Sequence, residues 1–112
     1  MKWAVLLLGM ATMSAFAQEE ITIRVPNDPN AKHVLVHKSG KPTHRVIITK
    51  RIGLTGELYT KRSYNCEKQT VRMISTGHTL EILENQSNDW PENTVVSRSV
   101  AEDIGMLACS EV

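Results

Sequence analysis

Hydrophobic and polar side chains alternate along most of this chain, the period of β-strands. Ile21-Thr22-Ile23-Arg24-Val25 reads as a short strand that breaks at Pro26-Asn27-Asp28-Pro29. Lys32 to Lys38, centred on Val34, Leu35 and Val36, and Arg45 to Ile52, centred on Val46, Ile47 and Ile48, flank Ser39-Gly40-Lys41-Pro42. That turn signal predicts an antiparallel hairpin, its two-residue turn centred on Gly40-Lys41. After the Gly53-Leu54-Thr55-Gly56 break, Leu58 to Glu67 is a longer strand. Leu58, Thr60, Arg62, Tyr64 and Cys66 share one of its faces, and Tyr59, Lys61, Ser63 and Asn65 the other. Val71 to Ser75 and Thr79 to Leu83, parted by Thr76-Gly77-His78, complete the sheet, and a polar loop from Glu84 to Thr94 carries Trp90-Pro91.

The last element changes period. Ser99 with Glu102 three residues on is a capping box, Asp103 adds a second acid to the first turn, and Val100, Ile104, Leu107 and Ala108 fall on one helical stripe. Cys109 lies nearly opposite the centre of that stripe, so either the helix ends near Ala108 or the cysteine reaches around a flank. Five or six strands and one C-terminal helix laid on one sheet face make an α+β domain. No repeat or linker interrupts it, which predicts a single domain over residues 18–112.

The first 17 residues read as a secretory signal: Lys2, an apolar stretch from Trp3, and small residues in Ala15-Phe16-Ala17 before the cleavage point. The stretch from Trp3 to Ala17 is shorter than the roughly 20 residues a membrane-spanning helix needs. The first cysteine is Cys66, so no lipid-modified cysteine lies at the cleavage point. The expected product is periplasmic or secreted, with no membrane insertion after cleavage. An even pair of cysteines in an oxidising compartment predicts a disulfide, Cys66 to Cys109, rather than a reactive thiol.

Composition narrows function further. Hydrophobic residues are 41% and charged residues 22% of the chain, a globular profile. Beyond the signal, basic and acidic side chains balance at 12 each, and the aromatics are Tyr59, Tyr64 and Trp90. That excludes a strongly cationic nucleic-acid binder with a stacking platform. The charge is unevenly spread: residues 18–72 hold 11 basic and 5 acidic side chains, net +6, and residues 73–112 hold 1 and 7, net −6. One reading is a cationic sheet face centred on Lys50, Arg51, Lys61 and Arg62 that meets an anionic partner. The other is that the two halves pair internally or with a second copy, a homodimer.

No catalytic pattern emerges: there is no G-x-S-x-G elbow, phosphate loop or H-E-x-x-H helix. The paired carboxylates at Glu19-Glu20, Glu81 with Glu84, and Glu102-Asp103 suit a terminus, a strand end and a helix start. A non-enzyme without a cofactor is expected. The metal candidates are His33, His37 and His44: His33 and His37 share a strand face, and the expected turn places His44 opposite His37.

Tyr64-Asn65-Cys66, Arg72 on the next strand, Trp90, Val95-Val96, Ser99-Val100 and the terminal Leu107-Ala108-Cys109 together resemble the surface-adhesin protein E-like family of small exported Gram-negative proteins. The resemblance covers residues 58–110. It implies a curved, partly rolled antiparallel sheet with the helix tied to it by the disulfide, and it singles out Tyr64, Arg72 and Trp90 as motif residues. The leading expectation is an exported, adhesin-like, non-enzymatic domain that binds a protein partner through its basic sheet face or an open sheet edge. The alternatives are a periplasmic inhibitor or accessory subunit of an envelope enzyme, wedging Asn88-Asp89-Trp90-Pro91 into a partner, and a periplasmic metal-binding protein.

Overall fold

The computed structural model describes residues 20–110; the expected signal at residues 1–17 lies outside the described residues. In chain order the elements are β1 (Ile21–Ile23), β2 (Lys32–Lys41), β3 (His44–Gly53), β4 (Gly56–Asn65), β5 (Thr70–Gly77), α1 (Leu80–Asn85), β6 (Asn93–Thr94) and α2 (Val100–Ala108). The strands form one antiparallel sheet in sequence order, each paired with its predecessor. The α+β class and the C-terminal helix stand as the alternation and the final change of period predict.

Two details differ. The β2–β3 pair matches Lys41 with His44, so the turn is Pro42-Thr43 and not Gly40-Lys41. Proline presets the φ of the first turn position. Gly40 is left within the ladder opposite Arg45, at a φ of 95°, where a Cβ would come within 2.2 Å of the His44 carbonyl oxygen.

The second difference is α1. Thr79 to Leu83 is not a strand: Thr79 is an N-cap whose Oγ1 accepts from the Ile82 N–H at 3.3 Å, and Glu81 complements the helix dipole. Ile82 packs on Gly77, where a Cβ would lie 2.5 Å from Ile82 Cγ2, and Leu83 is buried. Five residues are too few to separate period 2 from period 3.6. The sixth strand comes instead from the polar loop, at Asn93–Thr94.

The core lies between one sheet face and α2. Ile47 and Tyr64 are directed inward from β3 and β4, Ile104 and Ala108 face them from α2, and Ile23 and Val25 close one side. Gly105 lets the helix approach: a Cβ there would lie 2.7 Å from Tyr64 Cε2. The Tyr64 hydroxyl, its pKa pushed up to about 12 by burial, donates to the Ala101 carbonyl at 2.6 Å.

Ser99 caps α2 by accepting from the Glu102 N–H at 3.2 Å, while the Glu102 carboxylate accepts from the Arg98 N–H at 2.9 Å, one residue before the cap. The helix ends at Ala108, which frees Cys109 as its C-cap to join Cys66, with the two Cα atoms 5.7 Å apart. Lys38 completes this end by donating to the Leu107 and Ser110 carbonyls at 2.7 and 3.1 Å.

The turn after β1 is clamped to the sheet by Asp28. Its carboxylate accepts from Arg51 Nε at 2.7 Å and Nη2 at 3.2 Å, and from His33 Nε2 at 2.8 Å. The Arg51 hydrogen bonds, then that of His33, hold the Asp28 carboxyl down at about 2, against an ordinary 3.8. A folded-state pKa below the unfolded value stabilises the fold above pH 3.8, and the contribution is lost as pH falls toward 2. Urea unfolding of Asp28→Asn at pH 5 and pH 2.5 is expected to show a smaller acid-induced loss than wild type.

Candidate functional site

Successive strand residues point to opposite faces, and the register sorts the basic side chains accordingly. Ile47 pairs with Arg62 and Arg51 with Leu58, which places both arginines on the inner face with α2. Ile48 pairs with Lys61 and Lys50 with Tyr59, which places both lysines on the outer face. Lys50, Arg51, Lys61 and Arg62 therefore do not form one patch, because 50/51 and 61/62 are neighbours on a period-2 strand. Arg51 is in addition engaged by Asp28.

The outer face is covered at one end by α1. Val36, His37, Val46, Ile48, Lys61 and Leu80 line an open groove of about 510 Å³ along the rest. Val36 and Leu80 are 38% and 41% exposed. Lys50 lies over the Tyr59 ring, 5.8 Å from its centroid, and no carboxylate among the described residues pairs with Lys50 or Lys61. Glu84 stands at the α1 end of the groove. Val46 and Ile48 supply the apolar part of this face, on either side of the inward-facing Ile47 in a run of three hydrophobic residues.

The histidines do not converge. A bulge between Leu35 and His37 turns two residues that are two apart to opposite faces. His33 is thereby buried on the inner face against Asp28, and His37 is exposed on the outer one, bonded to Ser39 Oγ at 3.0 Å. His37 pairs with Ile48, while His44 pairs with Lys41 and contacts Ser63 Oγ at 3.2 Å. The expected patch of His33, His37 and His44 is thus replaced by three separate hydrogen-bonded positions, the first lost to the bulge and the last to the shifted turn. No group of three potential metal ligands occurs among the described residues.

Tyr64, Arg72 and Trp90 have distinct places. Tyr64 is the centre of the core. Arg72 braces the Trp90 loop from β5, donating from Nε to the Trp90 carbonyl at 3.1 Å and from Nη2 to the Asn88 carbonyl at 3.0 Å. Asn88 N–H in turn donates to Ile74 O at 2.9 Å. Ile74 is the extra residue of a β5 bulge, between Ser75 paired with Lys61 and Met73 paired with Arg62. Trp90 itself is 43% exposed.

On the inner side of that loop, Arg62 and Trp90 share a cleft of about 360 Å³ with Val71, Met73, Pro91 and Ala101. Arg62 has one hydrogen bond there, from Nη1 to Thr49 Oγ1 at 3.4 Å, and burial pushes its pKa down. Compared with known proteins, the chain matches no family model, no curated protein and no solved structure.

Proposed function

We propose that this chain is an exported, non-enzymatic binding domain that engages an acidic protein surface through the outer face of its sheet. The observation carrying this reading is the asymmetry of the sheet: α2 and the disulfide cover one face, whereas the other presents Val36, Val46 and Ile48 in an open groove beside Lys50 and Lys61. An apolar strip with unpaired lysines is the pattern of a surface whose apolar part supplies affinity and whose charges orient the partner. The disulfide accords with a periplasmic or secreted site of action. No helix among the described residues is long and apolar enough to cross a membrane. The adhesin-like ordering of residues 58–110 supports the same class.

The test compares immobilised wild-type chain with the variant Lys50→Glu/Lys61→Glu for capture from periplasmic and outer-membrane extracts. Reversing two rim charges is expected to weaken capture of the same protein about tenfold or more, with the wild-type interaction falling as salt rises. Undiminished, salt-insensitive capture by the variant overturns the proposed surface. Insertion of the Asn88–Pro91 loop into a partner is the second reading, favoured by the exposure of Trp90 on a braced backbone. Loss of capture in Trp90→Ala, with Lys50→Glu/Lys61→Glu unaffected, selects it.

A further inference from the structure

A guanidinium on the inner face of a sheet is costly to bury unless something pairs with it. Two cations of this face are answered by the fold: Arg51 by the Asp28 carboxylate and Lys38 by the carbonyls that end α2. Arg62 is not. Ile47, fully buried, stands directly across the ladder on β3, and Met73 stands across it on β5. No carboxylate among the described residues reaches Arg62, and its single hydrogen bond, to Thr49, is long. Of the five N–H donors a guanidinium carries, most therefore have no acceptor among the described residues. Of the acids on the adjoining segments, Glu92 accepts from Thr70 Oγ1 and Glu102 from the Arg98 N–H, while Asp89 is exposed beside Trp90 and makes no ion pair with Arg62.

The space these donors meet is built. Its volume, about 360 Å³, lies in the lower range of small-ligand sites. The Trp90 loop that forms one wall is held at three backbone points, two by Arg72 and one by the Ile74 bulge opposite Arg62. A wall fixed before binding loses little freedom when a ligand arrives. The rest of the lining is mainly hydrocarbon and thioether, from Val71, Met73, Pro91 and Ala101.

We propose that the cleft between β4, β5 and the Trp90 loop binds a small monocarboxylate with an apolar body, its carboxylate on Arg62 and its body against the Trp90 indole. The planar fork of arginine matches two carboxylate oxygens. A phosphate dianion would leave a second charge uncompensated beside a single cation, in surroundings too apolar to solvate it. The same chemistry is offered by a free short-chain acid and by the C-terminus of an apolar peptide.

The test is isothermal calorimetry on the disulfide-bonded chain with octanoate, with octanol as the uncharged counterpart, and with N-acetyl-Leu-Phe bearing a free or an amidated C-terminus. Saturable millimolar-or-tighter binding of octanoate supports a free acid, and binding of the free but not the amidated peptide supports a chain end. In either case Arg62→Met is expected to weaken binding about tenfold or more, the loss of a charge-assisted pair. Exchanging an unanswered charge for a similar apolar volume is expected to leave the melting temperature unchanged or raised, so that lost binding is not lost folding. Octanol binding as tightly as octanoate, Arg62→Met binding like wild type, or no saturable binding of either acid overturns the proposal. Because Arg62 and the Lys50–Lys61 face lie on opposite sides of the sheet, Arg62→Met leaves capture of a protein partner intact, and the two proposals fail separately.

Discussion

Replacing Cys66 and Cys109 together by alanine is expected to lower unfolding stability by about 4 kcal/mol, read as a fall in the urea midpoint of the double variant. The two residues are 43 apart in sequence, and releasing so long a loop returns conformational freedom chiefly to the unfolded chain. Small domains have net stabilities of roughly 5–15 kcal/mol, so the loss is a large fraction of the whole. The native geometry explains why little of the expected gain is given back: the helix stops at Ala108, and Cys109 caps it with its N–H on the Gly105 carbonyl at 2.8 Å. Reduction of the wild-type bond should reproduce the midpoint of the double variant. A midpoint within experimental scatter of the oxidised wild type would show that packing and the hydrogen bonds of Lys38, Asn27 and Tyr64 hold α2 without the bond.

The two faces of the sheet divide the work. The inner one is closed by α2, by the Cys66–Cys109 bond and by the Asn27–Asp103 contact, in which Asn27 N and Nδ2 both donate to the Asp103 carboxylate, at 3.0 and 2.9 Å. These ties join the first turn of the described chain to its last helix, so the order of strands is locked at both ends. Among the described residues, the outer face has only the short α1 over it. Bulges on β2 and β5 decide which side chains reach which face: without the first, His37 would join His33 inside, and without the second, Met73 would not line up with Arg62 while Ser75 faces α1.

What the residues disclosed in advance follows the length of each signal. The helix α2 was legible because its cap, its acidic first turn and its stripe over Val100, Ile104 and Leu107 agree with one another. The β3–β4 faces were legible because ten residues of alternation leave little freedom of register. Thr79–Leu83 was not, since its hydrophobic positions fit either period and only the contact of Ile82 with Gly77, a tertiary event, decides for a helix. The histidine patch failed for a similar reason: a bulge adds one residue to a strand without any mark in the sequence, and every side chain beyond it changes face. Arg62 on the inner face was readable from the period alone. That it would be left without a carboxylate, while Arg51 found Asp28, depended on where the turn after β1 folds back, and no local pattern encodes that.

Tyr64→Ala is expected to cost about 3–5 kcal/mol, while Tyr64→Phe costs about 1 kcal/mol. The ring is 2% exposed, lies beneath Gly105 at a distance that excludes a helix side chain, and belongs to the cluster formed with Ile47, Ile104 and Ala108. Removing it leaves a cavity where Gly105 of α2 packs on the sheet, and because the disulfide two residues away limits how far the helix can settle, the cavity cannot fully collapse. Phenylalanine keeps the packing and loses only the bond to the Ala101 carbonyl. Denaturant midpoints of the two variants, each with and without Cys66 and Cys109, test the coupling. If the tether prevents collapse, the cost of Tyr64→Ala is smaller in the chain lacking both cysteines, whereas the cost of Tyr64→Phe is the same in both backgrounds. Equal costs for Tyr64→Ala with and without the bond would mean that the helix relaxes into the cavity regardless, and that packing rather than the disulfide sets the distance between α2 and β4.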